Sequence, residues 1–219
     1  MHNSVQKLIN IQNSLESKFK NLEISKLPNI IAVSKTFKIE KILPLIEFGH
    51  LHYGENKVQE AIDKWTDIKS QNTDLKLHLI GKLQTNKVKL SLKIFDYIHS
   101  VDNEKLAQKI SDEQFKQNKK VKLFIQVNIG DEVQKSGINK DSLKDFYSFC
   151  VNLNLDVVGL MCIPPLNQDS IKFFQELKFL NDNLKLKELS MGMSADYLDA
   201  AKESASFLRI GSSIFGPRS

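Results

Sequence analysis

Short apolar runs alternate with longer amphipathic stretches along most of this chain, after an opening helical pattern over residues 3 to 22. The apolar runs number eight: Asn29 to Ser34, Leu51 to Gly54, Lys76 to Ile80, Tyr97 to Ser100, Lys122 to Asn128, Asp156 to Cys162, Glu188 to Met191 and Phe207 to Ile210. Between them, apolar residues recur at helical spacing over Ile39 to Phe48, Lys57 to Ile68, Asn103 to Asn118, Lys140 to Leu153, Ser170 to Asn183 and Ala195 to Ser204. Repeated strand and helix units require parallel strands joined by right-handed crossovers, and eight of them can close into a barrel with no exposed sheet edge. The pattern therefore predicts an α/β fold, a single-domain (β/α)8 barrel over residues 1–219 with an extra N-terminal helix. An open doubly wound sheet is the runner-up, but it usually announces a nucleotide site with a Gly-rich first turn. Ser34-Lys35-Thr36 occupies that turn here.

Composition narrows the class. A chain of 219 residues can bury one sizeable core, and its nine Gly and five Pro are scattered, with no linker or low-complexity tract. The 31 basic and 26 acidic residues leave a net charge of +5, and the lysines are interleaved with acids along helical faces. That spread reads as solvated helix surface rather than a nucleic-acid stripe, so no nucleic acid is expected as a partner. The two cysteines, Cys150 and Cys162, form no CxxC and show no metal-ligand spacing, which fits a reducing compartment. The N-terminus lacks the apolar core of a signal peptide, and no run approaches the roughly 18 apolar residues of a membrane span. The expectation is a cytoplasmic protein with no membrane partner. No apolar face beyond those of the outer helices is evident, so a monomer is expected.

Candidate chemistry lies at the carboxyl ends of the apolar runs, where barrel enzymes build their sites. Those ends carry Lys35, Gly54-Glu55-Asn56, Gly81-Lys82-Leu83-Gln84, Asp102, Asn128, Met161-Cys162-Ile163-Pro164, Gly192-Met193-Ser194 and Arg209-Ile210-Gly211-Ser212-Ser213. Burying an ammonium is costly unless it is paired or deprotonated, and a desolvated lysine becomes a nucleophile that condenses with carbonyl compounds. The last two ends match the standard phosphate site of barrels, formed by the loops after strands seven and eight and a short extra helix. Gly192 and Gly211 permit close backbone approach, Ser194 and Ser212 add hydroxyls, and Ser212 to Phe215 can form one helical turn with free N–H groups. A nucleophilic Lys35 opposite a phosphate cradle fits a ligand with both an aldehyde and a phosphate, and pyridoxal 5'-phosphate is such a ligand. Arg209, at the end of the eighth strand, is the candidate partner of the pyridine nitrogen. Arginine stays protonated, so it would donate a hydrogen bond to an unprotonated ring nitrogen and leave the ring a weak electron sink.

The segments Ala32-Val33-Ser34-Lys35-Thr36, Tyr53-Gly54-Glu55-Asn56-Lys57-Val58-Gln59-Glu60, His78-Leu79-Ile80-Gly81-Lys82-Leu83-Gln84-Thr85-Asn86-Lys87, Lys135-Ser136-Gly137, Ser190-Met191-Gly192-Met193-Ser194-Ala195-Asp196 and Arg209-Ile210-Gly211-Ser212-Ser213-Ile214-Phe215-Gly216 resemble the YggS/PROSC family of pyridoxal phosphate homeostasis proteins. The match runs in order over nearly the whole chain. The resemblance implies a relative of the alanine racemase barrel, of the type III fold of pyridoxal phosphate proteins, that serves vitamin B6 homeostasis with little or no turnover. It implies that Lys35 holds the cofactor as a Schiff base, that Arg209 faces the ring nitrogen, and that Ser194, Gly211 and Ser212 hold the phosphate. Asn56 and Met161 would line the pocket, and pyridoxal phosphate-dependent apoenzymes are the implied protein partners. Two positions depart from the family: Ser204 stands where a Gly is usual, and Cys162 where Ala is common. A positive φ at residue 204 would strain a serine, and a thiol beside an aldehyde could react with it.

Three rival readings are open to test. An amino-acid racemase of this barrel class needs a second acid/base and, in alanine racemase, a β-domain, whereas only three residues follow Gly216 here. None of Tyr53, Tyr97, Tyr147 and Tyr197 is placed by sequence opposite Lys35, and packing accounts for each. A metal hydrolase would draw on His50, His52 and His78, with no carboxylate pattern to support it. A pure interaction module predicts no bound chromophore. Lys82 and Lys135 are loop lysines that could hold a second, weaker Schiff base.

Overall fold

The computed structural model describes residues 1–20 and 27–217. Eight parallel strands close into a barrel in sequence order: β1 (Asn29–Val33), β2 (His52–Glu55), β3 (Lys76–Leu79), β4 (Tyr97–Val101), β5 (Lys122–Gln126), β6 (Val157–Met161), β7 (Glu188–Ser190) and β8 (Phe207–Ile210). The ring is sealed where Asn29, Ile30, Ile31 and Ala32 of β1 pair with Phe207, Leu208, Arg209 and Ile210 of β8. Every strand falls inside, or within one residue of, the apolar run that predicts it. Strands of a parallel barrel are covered on both faces, so their sequence is nearly all apolar and easily located.

The outer layer comprises α2 (Leu43–Glu47), α3 (Val58–Gln71), α4 (Val88–Ile94), α5 (Glu104–Gln117), α6 (Leu143–Asn152), α7 (Ser170–Asn183) and α8 (Tyr197–Lys202), followed by the single turn α9 (Ser212–Phe215). Because α9 is too short to cover β8, the opening helix α1 (Asn3–Phe19) packs against α9 and α2 and fills the gap. Its buried residues Val5, Leu8, Ile11, Leu15 and Phe19 recur every three or four positions and form one apolar stripe. Residues 21 and 22 of the predicted opening helix lie outside the described residues. Asn103 and Asp169 start α5 and α7 by accepting hydrogen bonds from the N–H groups of Leu106 and Ile171.

Four helices differ from expectation. The stretch Ile39 to Phe48 divides into a 3-10 turn (Ile39–Lys41) and α2, because Pro44 has no N–H and fits only the first turn of a helix. Residues Lys140–Ser142 likewise form a 3-10 turn ahead of α6, and the last predicted helix contracts to α8. Helix α4 is not among the predicted elements: Val88-Lys89-Leu90-Ser91-Leu92-Lys93-Ile94 alternates apolar and polar residues with the period of a strand. Val88, Ser91, Leu92 and Ile94 are nevertheless the buried set, which is helical spacing. No helix among the described residues is long and apolar enough to cross a membrane.

Candidate functional site

The carboxyl end of β1 is held by a buried polar network. Glu55, at the end of β2, is fully buried, and its Oε1 accepts hydrogen bonds from Ser34 Oγ (2.8 Å), Lys64 Nζ (3.0 Å) and Trp65 Nε1 (3.0 Å). Lys64 also donates to the Ser34 carbonyl oxygen and to Glu60 Oε1, each at 3.1 Å. Glu60 in turn accepts from the Thr36 N–H at 2.8 Å. Burial raises the Glu60 pKa, but the Thr36 hydrogen bond, Lys64 and Lys57 outweigh it and hold the carboxylate below its ordinary range. Thr36 adopts φ 69°, a left-handed conformation that a β-branched residue takes only when its surroundings impose it. Residues on both sides of half-buried Lys35 are thus clamped, which fixes where its amine leaves the strand.

Lys35 opens onto a cavity of about 370 Å³ lined also by Val33, Phe37, Ile80, Ile163, Met193, Ser194, Ala195, Arg209, Gly211, Ser212 and Gly216. Five of the seven sequence-predicted site residues therefore meet in one place: Lys35, Ser194, Arg209, Gly211 and Ser212. The other two lie elsewhere. Met161 is fully buried in the barrel interior with Ile31, Phe124 and Phe207, and half-buried Asn56 packs against Gly81 just beyond β2. Helix α9 forms as the sequence predicts, and its Ser213 N–H lies 3.4 Å from Ser194 Oγ, so the seventh and eighth loops meet. Gly192 sets the first of those loops: it adopts φ 87°, and an added Cβ would lie 2.5 Å from the Ala200 methyl carbon.

Arg209 is buried at 5 % exposure, and burial pulls its pKa below the ordinary value, with Cys162 and Asp196 acting against the shift. It donates from Nη1 to Ser190 Oγ and from Nη2 to the Cys162 carbonyl oxygen, each at 2.7 Å. No carboxylate forms an ion pair with it among the described residues. The Cys162 thiol is itself fully buried, and burial pushes it up to about 12, so the feared reaction with a cavity aldehyde has no thiolate to start from. Ser204 adopts φ 65°, the positive angle that its replacement of a glycine raised as a concern.

Lys82 and Lys135 line a second cavity of about 330 Å³ that shares Ile80 and Ile163 with the first, and Lys135 is ion-paired to Glu132. His50 precedes β2 rather than lying within it, and donates to the His52 carbonyl oxygen at 3.0 Å. His52 and His78 are neighbours, but they hydrogen-bond to each other, and no group of three or more potential ligands is placed to hold a metal ion among the described residues. Sequence reasoning missed Lys64 and Trp65 as supports of the Lys35 turn, and missed Ser190 and His99 behind Arg209. A usable signal existed for Arg209: the chain contains two arginines, Arg209 and Arg218, among its 31 basic residues.

Residues 13–219 match the model of the alanine racemase N-terminal domain. The pyridoxal phosphate homeostasis protein of Aquifex aeolicus is 39% identical over 199 residues, covering 86% of this chain and 86% of the relative. This chain belongs to the pyridoxal phosphate homeostasis protein family. Among solved structures, PipY of Synechococcus elongatus with pyridoxal phosphate bound is 31% identical and superposes with a TM-score of 0.85, covering 97% of this chain and 100% of PipY. Alanine racemase of Clostridium difficile, at 16% identity and a TM-score of 0.75, shares the fold over 97% of this chain and 56% of the racemase. The family's barrel is therefore present here almost from end to end.

Proposed function

We propose that this protein binds pyridoxal 5'-phosphate in the cavity at the carboxyl ends of its strands and serves intracellular vitamin B6 homeostasis, without turnover of its own. The observation that carries the reading is the convergence of Lys35, Arg209, Ser194 and Ser212 on one cavity. That donor set suits the ligand: one amine for an aldehyde, one guanidinium for a ring nitrogen, and hydroxyls beside the first N–H groups of α9 for a phosphate. A cavity of about 370 Å³ is in the range of small-molecule sites. Kinship with proteins named for pyridoxal phosphate homeostasis, and with a PipY structure that contains the cofactor, supports the same ligand.

When bound, the cofactor supplies an electrophilic aldehyde and an electron-withdrawing ring. Lys35 is the residue that would hold it, through an amine that condenses reversibly with an aldehyde. Arg209, permanently charged, would donate to the ring nitrogen and could not deliver a proton to it, which would limit the ring's capacity to stabilise a carbanion. Among the described lining residues, Lys35 and Arg209 are the side chains with ionisable groups, and a guanidinium does not release its proton. Racemisation by two opposed acid/bases lacks its second group in this lining. Tyr53 is buried against Trp65 and Tyr97 stacks on His78, away from the cavity. Reversible holding of the cofactor, rather than its use in turnover, is the role this lining supports.

Equilibrium dialysis against pyridoxal phosphate tests the reading. The unmodified chain binds one equivalent, Lys35→Ala loses the covalent fraction, and Ser212→Asp repels the phosphate and weakens binding at least tenfold. Equal binding by all three proteins would overturn it, and steady release of D-alanine from L-alanine would replace it with the racemase.

A further inference from the structure

The interior of a barrel like this is ordinarily filled by branched apolar side chains. Here a line of polar side chains runs through it. His52 Nδ1 lies 3.0 Å from His78 Nε2, His78 Nδ1 lies 2.9 Å from His99 Nε2, and His99 Nδ1 lies 2.8 Å from Ser190 Oγ. Arg209 donates to that same hydroxyl. His78, His99 and Ser190 are fully buried, and aromatic rings fix the imidazoles: His78 stacks on Tyr97 with centroids 4.3 Å apart, and His99 on Phe124 at 4.4 Å. Half-buried His52 lies at the amino-terminal end of β2, where it borders a different cavity with Gln12, Glu16 and Asn29. The line thus leads from the floor of the candidate site to the opposite mouth of the barrel.

Its direction follows from the donors. A guanidinium only donates, so Ser190 Oγ must accept from Arg209 and place its own hydrogen on another acceptor. The remaining neighbour is His99 Nδ1, because a second donation into Ser190 would leave the buried hydroxyl hydrogen without a partner, which is costly. His99 then carries its proton on Nε2 and donates to His78 Nδ1. By the same step His78 donates from Nε2 to His52 Nδ1, and His52 carries its proton on Nε2. All four bonds point away from Arg209. Each link presents a lone pair toward the cation, and hydrogen bonds aligned head to tail polarise one another.

We propose that His52, His78, His99 and Ser190 form a one-way hydrogen-bond chain that takes the place of a carboxylate counter-ion, making His99 and Ser190 positioning residues for Arg209. The groups facing the chain fit this reading. Burial holds His78 and His99 well below the ordinary imidazole value, with the neighbouring histidines and Lys69 adding to the effect on His78 and Arg209 to that on His99. Neutral imidazoles are what the chain requires. A carboxylate in place of Ser190 would neutralise the guanidinium, whereas dipoles leave its charge directed at the cavity. The consequence for a bound pyridine nitrogen rests on the function proposed above; the chain itself does not.

The test therefore uses the protein without cofactor. In long-range proton–nitrogen NMR of histidine-labelled protein at pH 7, His52, His78 and His99 are each expected as the neutral Nε2–H form. The Arg209 guanidinium protons, assigned by their loss in Arg209→Lys, are expected to exchange slowly. His99→Leu removes the acceptor and should speed their exchange at least tenfold, and His99→Asn, which keeps an acceptor at the Nδ1 position, should restore most of the protection. An Nδ1–H or doubly protonated His78 or His99 would overturn the proposal. So would equal exchange in His99→Leu, His99→Asn and the unmodified protein. Should the leucine variant fail to fold, the tautomers of the unmodified protein decide alone. A chain with the expected tautomers in a protein that fails to bind pyridoxal phosphate would overturn the functional reading and leave this one standing.

Discussion

Removing the charge of Glu55 should destabilise the fold through Lys64, by an amount the geometry bounds. Glu55→Gln keeps the shape and one carbonyl oxygen, but it withdraws the negative charge that Ser34, Lys64 and Trp65 share on Oε1. The Lys64 side chain is only 10% exposed, so stranding it would cost about 3–5 kcal/mol. It is not stranded, because Glu60 Oε1 and the Ser34 carbonyl oxygen each remain 3.1 Å away. What is lost is the charge assistance of the Lys64 bond and part of that of the other two, about 2 kcal/mol in all. For a chain of this length that lowers Tm by about 4–8 °C. Lys64→Met, which leaves a buried carboxylate with neutral donors only, should cost more, about 3–5 kcal/mol. In urea denaturation at pH 7 the double variant should fall short of the sum of the singles by about 1–3 kcal/mol. Additivity within 0.5 kcal/mol would refute the claim that the two act as one unit. The same variants should release pyridoxal phosphate several-fold faster, since Lys64 braces the carbonyl just ahead of Lys35.

Ser204→Gly should stabilise the protein: the left-handed φ of 65° costs a serine about 1–2 kcal/mol, glycine's extra unfolded-state freedom returns about 0.5–1, and the net gain of about 0.5–1 kcal/mol raises Tm by about 1–4 °C. A scan showing no change or a lower Tm would contradict it. Stability should also fall on acidification. Burial holds His50 down at about 4 and His78 and His99 well below 6.5, so between those values the unfolded chain binds protons that the folded chain refuses. Stability is therefore complete above pH 6.5 and declines below it, by about 1.4 kcal/mol per pH unit for each imidazole. Urea midpoints that stay level from pH 7.5 to 5 would contradict this.

The strands were legible because each is a short, nearly continuous apolar run, and the seventh and eighth loops as a candidate site because Gly and Ser cluster at the ends of the last two. Lys35 was legible as a charge ending such a run. Helix α4 was not, since a short helix half covered by its neighbours can alternate with the period of a strand. The polar supports were hidden for a different reason. Glu55 ends β2 and Lys64 lies in α3 nine positions later, so neither the strand period nor the helix period pairs them, while His99 of β4 and Ser190 of β7, 91 positions apart on strands that do not pair, meet across the barrel interior because register turns both inward. The same register buries Met161 among Ile31, Phe124 and Phe207, so a residue at a strand end can face the barrel interior instead of the cavity. One-residue shifts decide that outcome, and apolar runs do not specify them.

Borohydride reduction of the protein loaded with pyridoxal phosphate, followed by peptide mass mapping, tests the central claim most directly. The account predicts bleaching of the visible band and a phosphopyridoxyl group on Lys35 in the bulk of the protein. A label confined to other lysines, or no visible band after loading, would contradict it.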